Sequence, residues 1–301
     1  MDDIFHEGER HVQEWTGERD RALLNSRSIS GTIPLVAHTF LRQQSHCVLG
    51  WQTPDGTVRA SFVAAAAGFA SPASDGRSIA LTLQDAIDEA TRRATRPGAG
   101  VQVGMLFLEF STRRRLRING RVTTSSPDGL QMAVDEAFAN CPKYIQRRAP
   151  DHAMRRELPA PLRSGTEITD DHRALIARAD TFFVASTRLD GRADVSHRGG
   201  SPGFVDVSDG QLRIPDYAGN SMFQTLGNLS VHAAAGLTFL DFERRRQLQL
   251  SGTTSLEFLD AARSDAAHGA RWWSFRWHAW TETPLPSTFD WVLVEPSPFN
   301  P

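Results

Sequence analysis

The chain has 301 residues but only one lysine, two cysteines and two tyrosines, and it carries almost no net charge. Lys143 is the sole lysine among 33 basic residues, so Schiff-base chemistry has one candidate, and an anion must be held mainly by arginine, hydroxyl or backbone groups. Cys47 and Cys141 can form at most one bridge, and they supply neither a four-cysteine zinc site nor an iron–sulfur cluster. No apolar run reaches the ~18 residues of a membrane span, and the opening MDDIFHEGER is charged where a secretory signal is apolar. A cytoplasmic chain with no membrane partner is expected. A balance of 33 basic against 35 acidic residues gives no global field for gathering nucleic acid, so none is expected as a partner. There is no H-E-x-x-H, C-x-x-C or G-x-G-x-x-G unit, and the ten histidines form no metal-ligand pattern.

What the chain does contain is a repeat. Segment 104–120, GMLFLEFSTRRRLRING, resembles 236–252, GLTFLDFERRRQLQLSG, at an offset of 132 (236 − 104). Upstream, Asp55-Gly56, Ser61 and Gly68-Phe69 match Asp190-Gly191, Ser196 and Gly203-Phe204 at an offset of 135 (190 − 55). Ordered matches over two blocks point to duplication, hence to a pseudo-dimer within one chain. Each copy reads as short antiparallel strands, in the second 182–187, 203–207, 211–214, 236–242 and 247–250, with turns at Asp190-Gly191 and Asp209-Gly210. The expected fold is mainly β with flanking helices (α+β), a tandem of small barrels. One helix is expected from Ser126-Pro127-Asp128 through Leu130, Val134 and Phe138, and another from Thr169 through Leu175 and Ala179. The stretch 147–165 is the expected linker, dividing the chain into 1–160, with an N-terminal extension, and 161–301.

The densest polar cluster is 194–203, DVSHRGGSPG, where Ser196, Arg198 and Ser201 offer donors and the glycines would admit an anion to backbone N–H groups. Segment 215–229, PDYAGNSMFQTLGNL, then enters a helix that Asn220 or Ser221 would cap, placing a helix N-terminus beside that cluster. Such residues also make ordinary turns. In the first copy the matching stretch is 61–65, SFVAA, so the charge and glycines are special to the second copy and are assigned to a ligand.

These segments, with GLTFLDF, LQLSG, and the stretches 5–9 (FHEGE), 140–146 (NCPKYIQ) and 295–301 (EPSPFNP), resemble the pyridoxamine 5'-phosphate oxidase-like FMN-binding split-barrel superfamily, and within it a tandem-barrel flavin-nucleotide-binding branch. The resemblance implies an intrachain pair of split barrels, open to further dimerisation, with FMN at the interface. It places the cofactor against Ser196, His197, Arg198, Pro215, Asp216, Asn220, Ser221, Thr225 and Asn228, with Gln247 where oxidases of the group set a glutamine against the flavin. The Arg-Lys pair of the family's phosphate turn is absent. Arg198, backbone dipoles and a first-barrel arginine such as Arg113, Arg114 or Arg117 would then hold the phosphate, which argues against vitamin B6 oxidation. The implied activity is FMN-dependent transfer of hydride or electrons to or from a small substrate, with an external reductase, NAD(P)H or a reducing substrate as donor. The alternative is a non-catalytic module carrying flavin or haem for a partner.

Lys143, Tyr144 and Trp277 are further candidate cleft contacts. Lys143 and Tyr144 either face the flavin cleft or end a helix, and Cys141 is either a redox thiol or, as preferred, a buried structural residue. Five of the seven tryptophans lie between Trp272 and Trp291, and Trp277 is the one singled out as a possible flavin or substrate contact.

Overall fold

The computed structural model describes residues 3–83, 97–150, 162–208, 210–257, 271–285 and 290–301. Two antiparallel sheets dominate. The first contains β1 (His46–Gln52), β2 (Val58–Ala64), β3 (Ala70–Pro72), β4 (Ser78–Thr82), β5 (Gln102–Glu109), β6 (Arg114–Ser126) and β7 (Gly129–Ala139), in the order β2-β1-β5-β6-β7-β4-β3. After β8 (Arg147–Pro150) and β9 (Arg163–Gly165), the second contains β10 (Thr181–Thr187), β11 (Ala193–Gly199), β12 (Asp206–Ser208), β13 (Gln211–Asp216), β14 (Ala234–Asp241), β15 (Arg246–Leu256) and β16 (Arg271–Pro284). Its order is β11-β10-β14-β15-β16-β13-β12, with β9 on the flank of β16. Strand for strand the two orders are the same, so the sequence repeat is a repeat of topology. A last strand, β17 (Trp291–Glu295), pairs with β8.

Each sheet wraps its own core, the first around Leu49, Met105, Phe107, Ile118 and Met132, the second around Val184, Leu237, Phe239, Leu250 and Trp273. A third apolar layer lies between them and includes Val48, Ala60, Phe62, Leu106, Phe183, Ala185 and Val195. Strands β1 and β10 are buried on both faces, one toward a barrel core and one toward the other barrel. That is why 182–187 has no polar alternation. The close approach demands glycine at matched places. A Cβ on Gly50 would lie 2.7 Å from that of Ala185, its own counterpart in the repeat, and one on Gly104 would lie 2.8 Å from Asp194 Cα. One on Gly236, the counterpart of Gly104, would lie 2.7 Å from Ala60 N. The contacts repeat about a pseudo-twofold axis, as expected of an isologous interface.

Five α-helices are described: α1 (Glu7–Trp15), α2 (Arg19–Asn25), α3 (His38–Gln43), α4 (Asp170–Arg178) and α5 (Gln224–Val231). Helix α4 starts where the sequence indicates, with Thr169 as N-cap accepting from His172 N. The helix expected after Ser126 is instead strand β7. Pro127-Asp128-Gly129 is a hairpin turn, and Leu130 and Met132 alternate inward opposite β6. Of the expected linker, 147–150 and 163–165 are strands, and 151–161 lies outside the described residues. Helix α1 packs on α5, so the N-terminal stretch braces the second barrel. Among the described residues no helix is long and apolar enough to cross a membrane.

Candidate functional site

Strand β11 runs along the seam between the barrels and presents Ser196, His197 and Arg198 to a cavity there. The end of β13 adds Pro215 and Asp216, the following turn adds Asn220 and Ser221, and α5 adds Gln224 and Thr225. The first barrel closes the other side with Arg115 and Arg117 from β6 and with Asn140, Cys141 and Tyr144 beyond β7. The cavity measures about 90 Å³, room for roughly three waters or a group of phosphate size.

Within it, Thr225 Oγ1 donates to Ser196 Oγ at 2.9 Å. Arg198 pairs with Asp216, which also accepts from Arg271 Nε at 3.0 Å. Arg117 pairs with Asp194 at 2.9 Å. Arg115 has no carboxylate partner among the described residues: its Nη1 lies 3.4 Å from His197 Nδ1 and its Nη2 3.9 Å from Cys141 Sγ. Burial, and then the neighbouring Arg117, pull the Arg115 pKa down to about 10, so the group stays cationic at neutral pH. His197 is held well below its usual range by burial, with Arg115 and Arg198 adding to the effect, and is neutral. With Nδ1 facing a guanidinium, its proton belongs on Nε2. That atom has no partner among the described residues, and neither do Arg115 Nε, Arg117 Nε, Arg198 Nε or the amide of Asn140. Buried polar groups are nearly always paired, so this concentration of unpaired donors around one cavity suits a polar ligand, and an anion above all.

The turn into α5 is strained. Ser221 and Phe223 have φ of 63° and 59°, a left-handed conformation that costs a bulky residue about 1–3 kcal/mol. Neither Asn220 nor Ser221 caps the helix: Phe223 holds the N-cap position without a side-chain bond. Asn220 Oδ1 accepts from Met222 N at 3.1 Å, and Ser221 Oγ donates to Glu18 of the brace. The glycines of the HRGG stretch serve packing. A Cβ on Gly199 would overlap the Tyr144 carbonyl, and one on Gly200 would lie 2.6 Å from the Phe204 ring.

Several expected positions lie elsewhere. Asn228 donates to Ser186 Oγ at 3.0 Å and its Oδ1 faces His6 Nε2 at 3.1 Å, behind α5. Gln247 is 1% exposed, with Nε2 donating to Phe62 O at 3.0 Å and Oε1 accepting from Phe62 N at 2.9 Å. It faces the first barrel because β15, like β6, is presented across the pseudo-twofold axis. The residue at the matching place beside His197 is therefore Arg115, the counterpart of Gln247 at the 132-residue offset. Of the three first-barrel arginines named for the phosphate, only Arg117 lines the cavity. Arg113 Nε donates to Ile145 O at 2.9 Å, and Arg114 pairs with Glu109 at 2.8 Å. Lys143 sits 5.8 Å from the Phe299 ring, and Trp277 packs on the second core under Arg173. Cys141, expected to be buried, is half-buried on the cavity wall. Tyr144 and Tyr217, the chain's two tyrosines, stand together at the cavity with centroids 5.2 Å apart.

Residues 168–297 match the family model for pyridoxamine 5'-phosphate oxidase. No curated protein matches the chain. Among solved structures it is similar to HupZ of Group A Streptococcus, at 16% identity over 40% of this chain and 90% of that one, TM-score 0.28. An FAD-binding protein of Mesorhizobium loti is 8% identical over 40% of this chain and 97% of that one, TM-score 0.28. HutZ, the haem storage protein of Vibrio cholerae, is 11% identical over 36% of this chain and 87% of that one, TM-score 0.26.

Proposed function

We propose that this chain, whose residues 168–297 match the family model for pyridoxamine 5'-phosphate oxidase, is a member of that split-barrel superfamily, an FMN-binding flavoprotein and an oxidoreductase. The observation that carries the reading is the ring of unpartnered donors on Arg115, Arg117, His197 and Arg198 around one cavity. The cavity volume is far below the ~300 Å³ at which small-molecule pockets begin, so it suits the phosphate end of the cofactor and leaves the remainder outside it. Ser196, Thr225 and Ser221 add hydroxyls, while Pro215, Asp216 and Asn220 shape the wall. The two units, 1–160 and 161–301, both contribute: the second supplies most of the site and the first supplies Arg115 and Arg117.

When bound, the flavin supplies hydride or electron transfer. The chain binds and orients it: Arg115 neutralises negative charge, His197 Nε2–H donates a hydrogen bond, and the barrel seam excludes water from the cavity. Electrons come from an external reductase, NAD(P)H or a reducing substrate. FMN titration followed by fluorescence quenching tests the reading. Arg198→Ala is expected to weaken binding at least tenfold, about the 1.4 kcal/mol or more lost with a charge-assisted contact, whereas Arg59→Ala in the first copy leaves it unchanged. Equal losses, or purified protein that takes up no FMN, would overturn it. A Soret band in place of a flavin spectrum would turn the site over to haem.

A further inference from the structure

The wall that the first barrel presents to the cavity, residues 140–146, is fastened from outside that barrel. Tyr144 has φ of 65°, a strained value for an aromatic residue, so something must hold it there. Its N–H donates to Ser297 Oγ at 3.1 Å. Two residues on, Gln146 is 1% exposed, and its amide joins three segments. Nε2 lies 3.2 Å from Tyr144 O, 3.2 Å from Gly200 O at the end of the site strand, and 3.2 Å from Asn300 Oδ1. Oε1 accepts from Ser297 N at 2.7 Å and from Asn300 Nδ2 at 3.1 Å. Arg113 completes the fastening by donating to Ile145 O at 2.9 Å and Pro296 O at 3.1 Å. Gly199 leaves room for the Tyr144 carbonyl, and its counterpart in the first copy is Ala64.

We propose that Gln146 is the positioning residue of the cavity, and that with segment 296–300 it forms a clasp setting Tyr144 and Cys141 against the ligand. The proposal rests on the cavity being a ligand site. The clasp joins the first barrel's wall to the end of β11, so its loss opens the cavity without disturbing either core.

The two cysteines provide the readout. Cys141 lies on the clasped segment, whereas Cys47 is fully buried in the first core, where burial also pushes its thiol pKa upward. Intact protein is alkylated with iodoacetamide and each site is followed by mass analysis, alongside FMN titration. Gln146→Leu is expected to speed Cys141 labelling about tenfold, leave Cys47 unlabelled and raise the FMN Kd about tenfold, a loss comparable to one or two buried hydrogen bonds. Should Gln146→Leu also expose Cys47, it has unfolded the barrel, and Ser297→Ala, which removes one acceptor, decides on the same two measurements. Unchanged Cys141 labelling in the decisive variant overturns the clasp. Failure of wild-type protein to bind FMN overturns the flavin reading instead, and the labelling comparison still decides the clasp.

Discussion

His46 is stacked between Phe62 and Phe110, with ring centroids 5.3 and 5.4 Å away, and burial lowers its pKa from 6.5 to about 4. His6 is lowered to about 4, chiefly by burial and then by Arg188, and His197 falls well below its usual range. In each case the unfolded chain binds a proton that the folded chain refuses, so stability is full above about pH 6.5 and is lost as pH falls toward 4. Glu9 acts in the opposite sense. Burial raises its pKa from 4.5 to about 8, so its contribution declines as pH rises through that interval. For His46 the 2.5-unit depression (6.5 − 4) corresponds to roughly 3 kcal/mol by pH 4. His46→Phe should keep the stack and remove the penalty. Urea denaturation of wild type and variant at pH 7.5 and 4.5 is expected to show a stability drop that is smaller in the variant by about 2 kcal/mol. Equal drops would mean that His46 is protonated in the fold.

Helix α1 and helix α5 cross at glycines. A Cβ on Gly8 would overlap the Gly227 carbonyl, and one on Gly227 would lie 2.6 Å from Glu9 Cα. Gln13 Nε2 donates to Met222 O at 2.9 Å, tying the crossing to the strained turn of the site. Gly227→Ala should therefore cost about 1–3 kcal/mol through overpacking and speed tryptic cleavage at Arg10. Gly98→Ala, whose Cβ meets nothing within 4 Å, serves as control, and equal cleavage of the two variants would show that the crossing does not hold α1. Nothing local in the sequence announces this contact, because a helix reveals its own buried face but not its partner. In the second copy β10, β13, β14 and the start of β15 were legible from apolar runs, alternation and turn residues, whereas the pattern marked neither β11 nor β16 as a strand. Nor was strand β7 legible: Leu130, Val134 and Phe138 are four residues apart, a spacing that one face of a helix and one face of a strand share. The cavity's second-barrel wall could be read because Ser196 to Arg198 and Pro215 to Thr225 lie in two short stretches. Arg115 was passed over for its neighbours Arg113, Arg114 and Arg117, because the register of β6 decides which of these arginines meets the seam.

Seen whole, the molecule is a pseudo-dimer whose two equivalent seams have diverged. On one seam His197 faces Arg115, and unpartnered donors surround the cavity. On the other, Phe62 stands at the counterpart of His197 and Gln247 at that of Arg115, and the Gln247 amide closes on the Phe62 main chain at 2.9 and 3.0 Å. Gln249, the counterpart of Arg117, donates to Ser61 Oγ at 3.0 Å. The second seam thus pairs its two glutamine amides within the chain and fills the space with aromatic side chains, where the first keeps unpartnered donors around a cavity. A homodimer of one barrel would carry two equivalent sites, whereas this chain is expected to carry one. Calorimetric titration with FMN should saturate at about one equivalent per chain, and Arg115→Gln, which copies the residue of the closed seam, should weaken binding at least tenfold. Saturation at two equivalents, or undiminished binding by Arg115→Gln, would show that the seams remain equivalent and that the closed one opens to admit ligand.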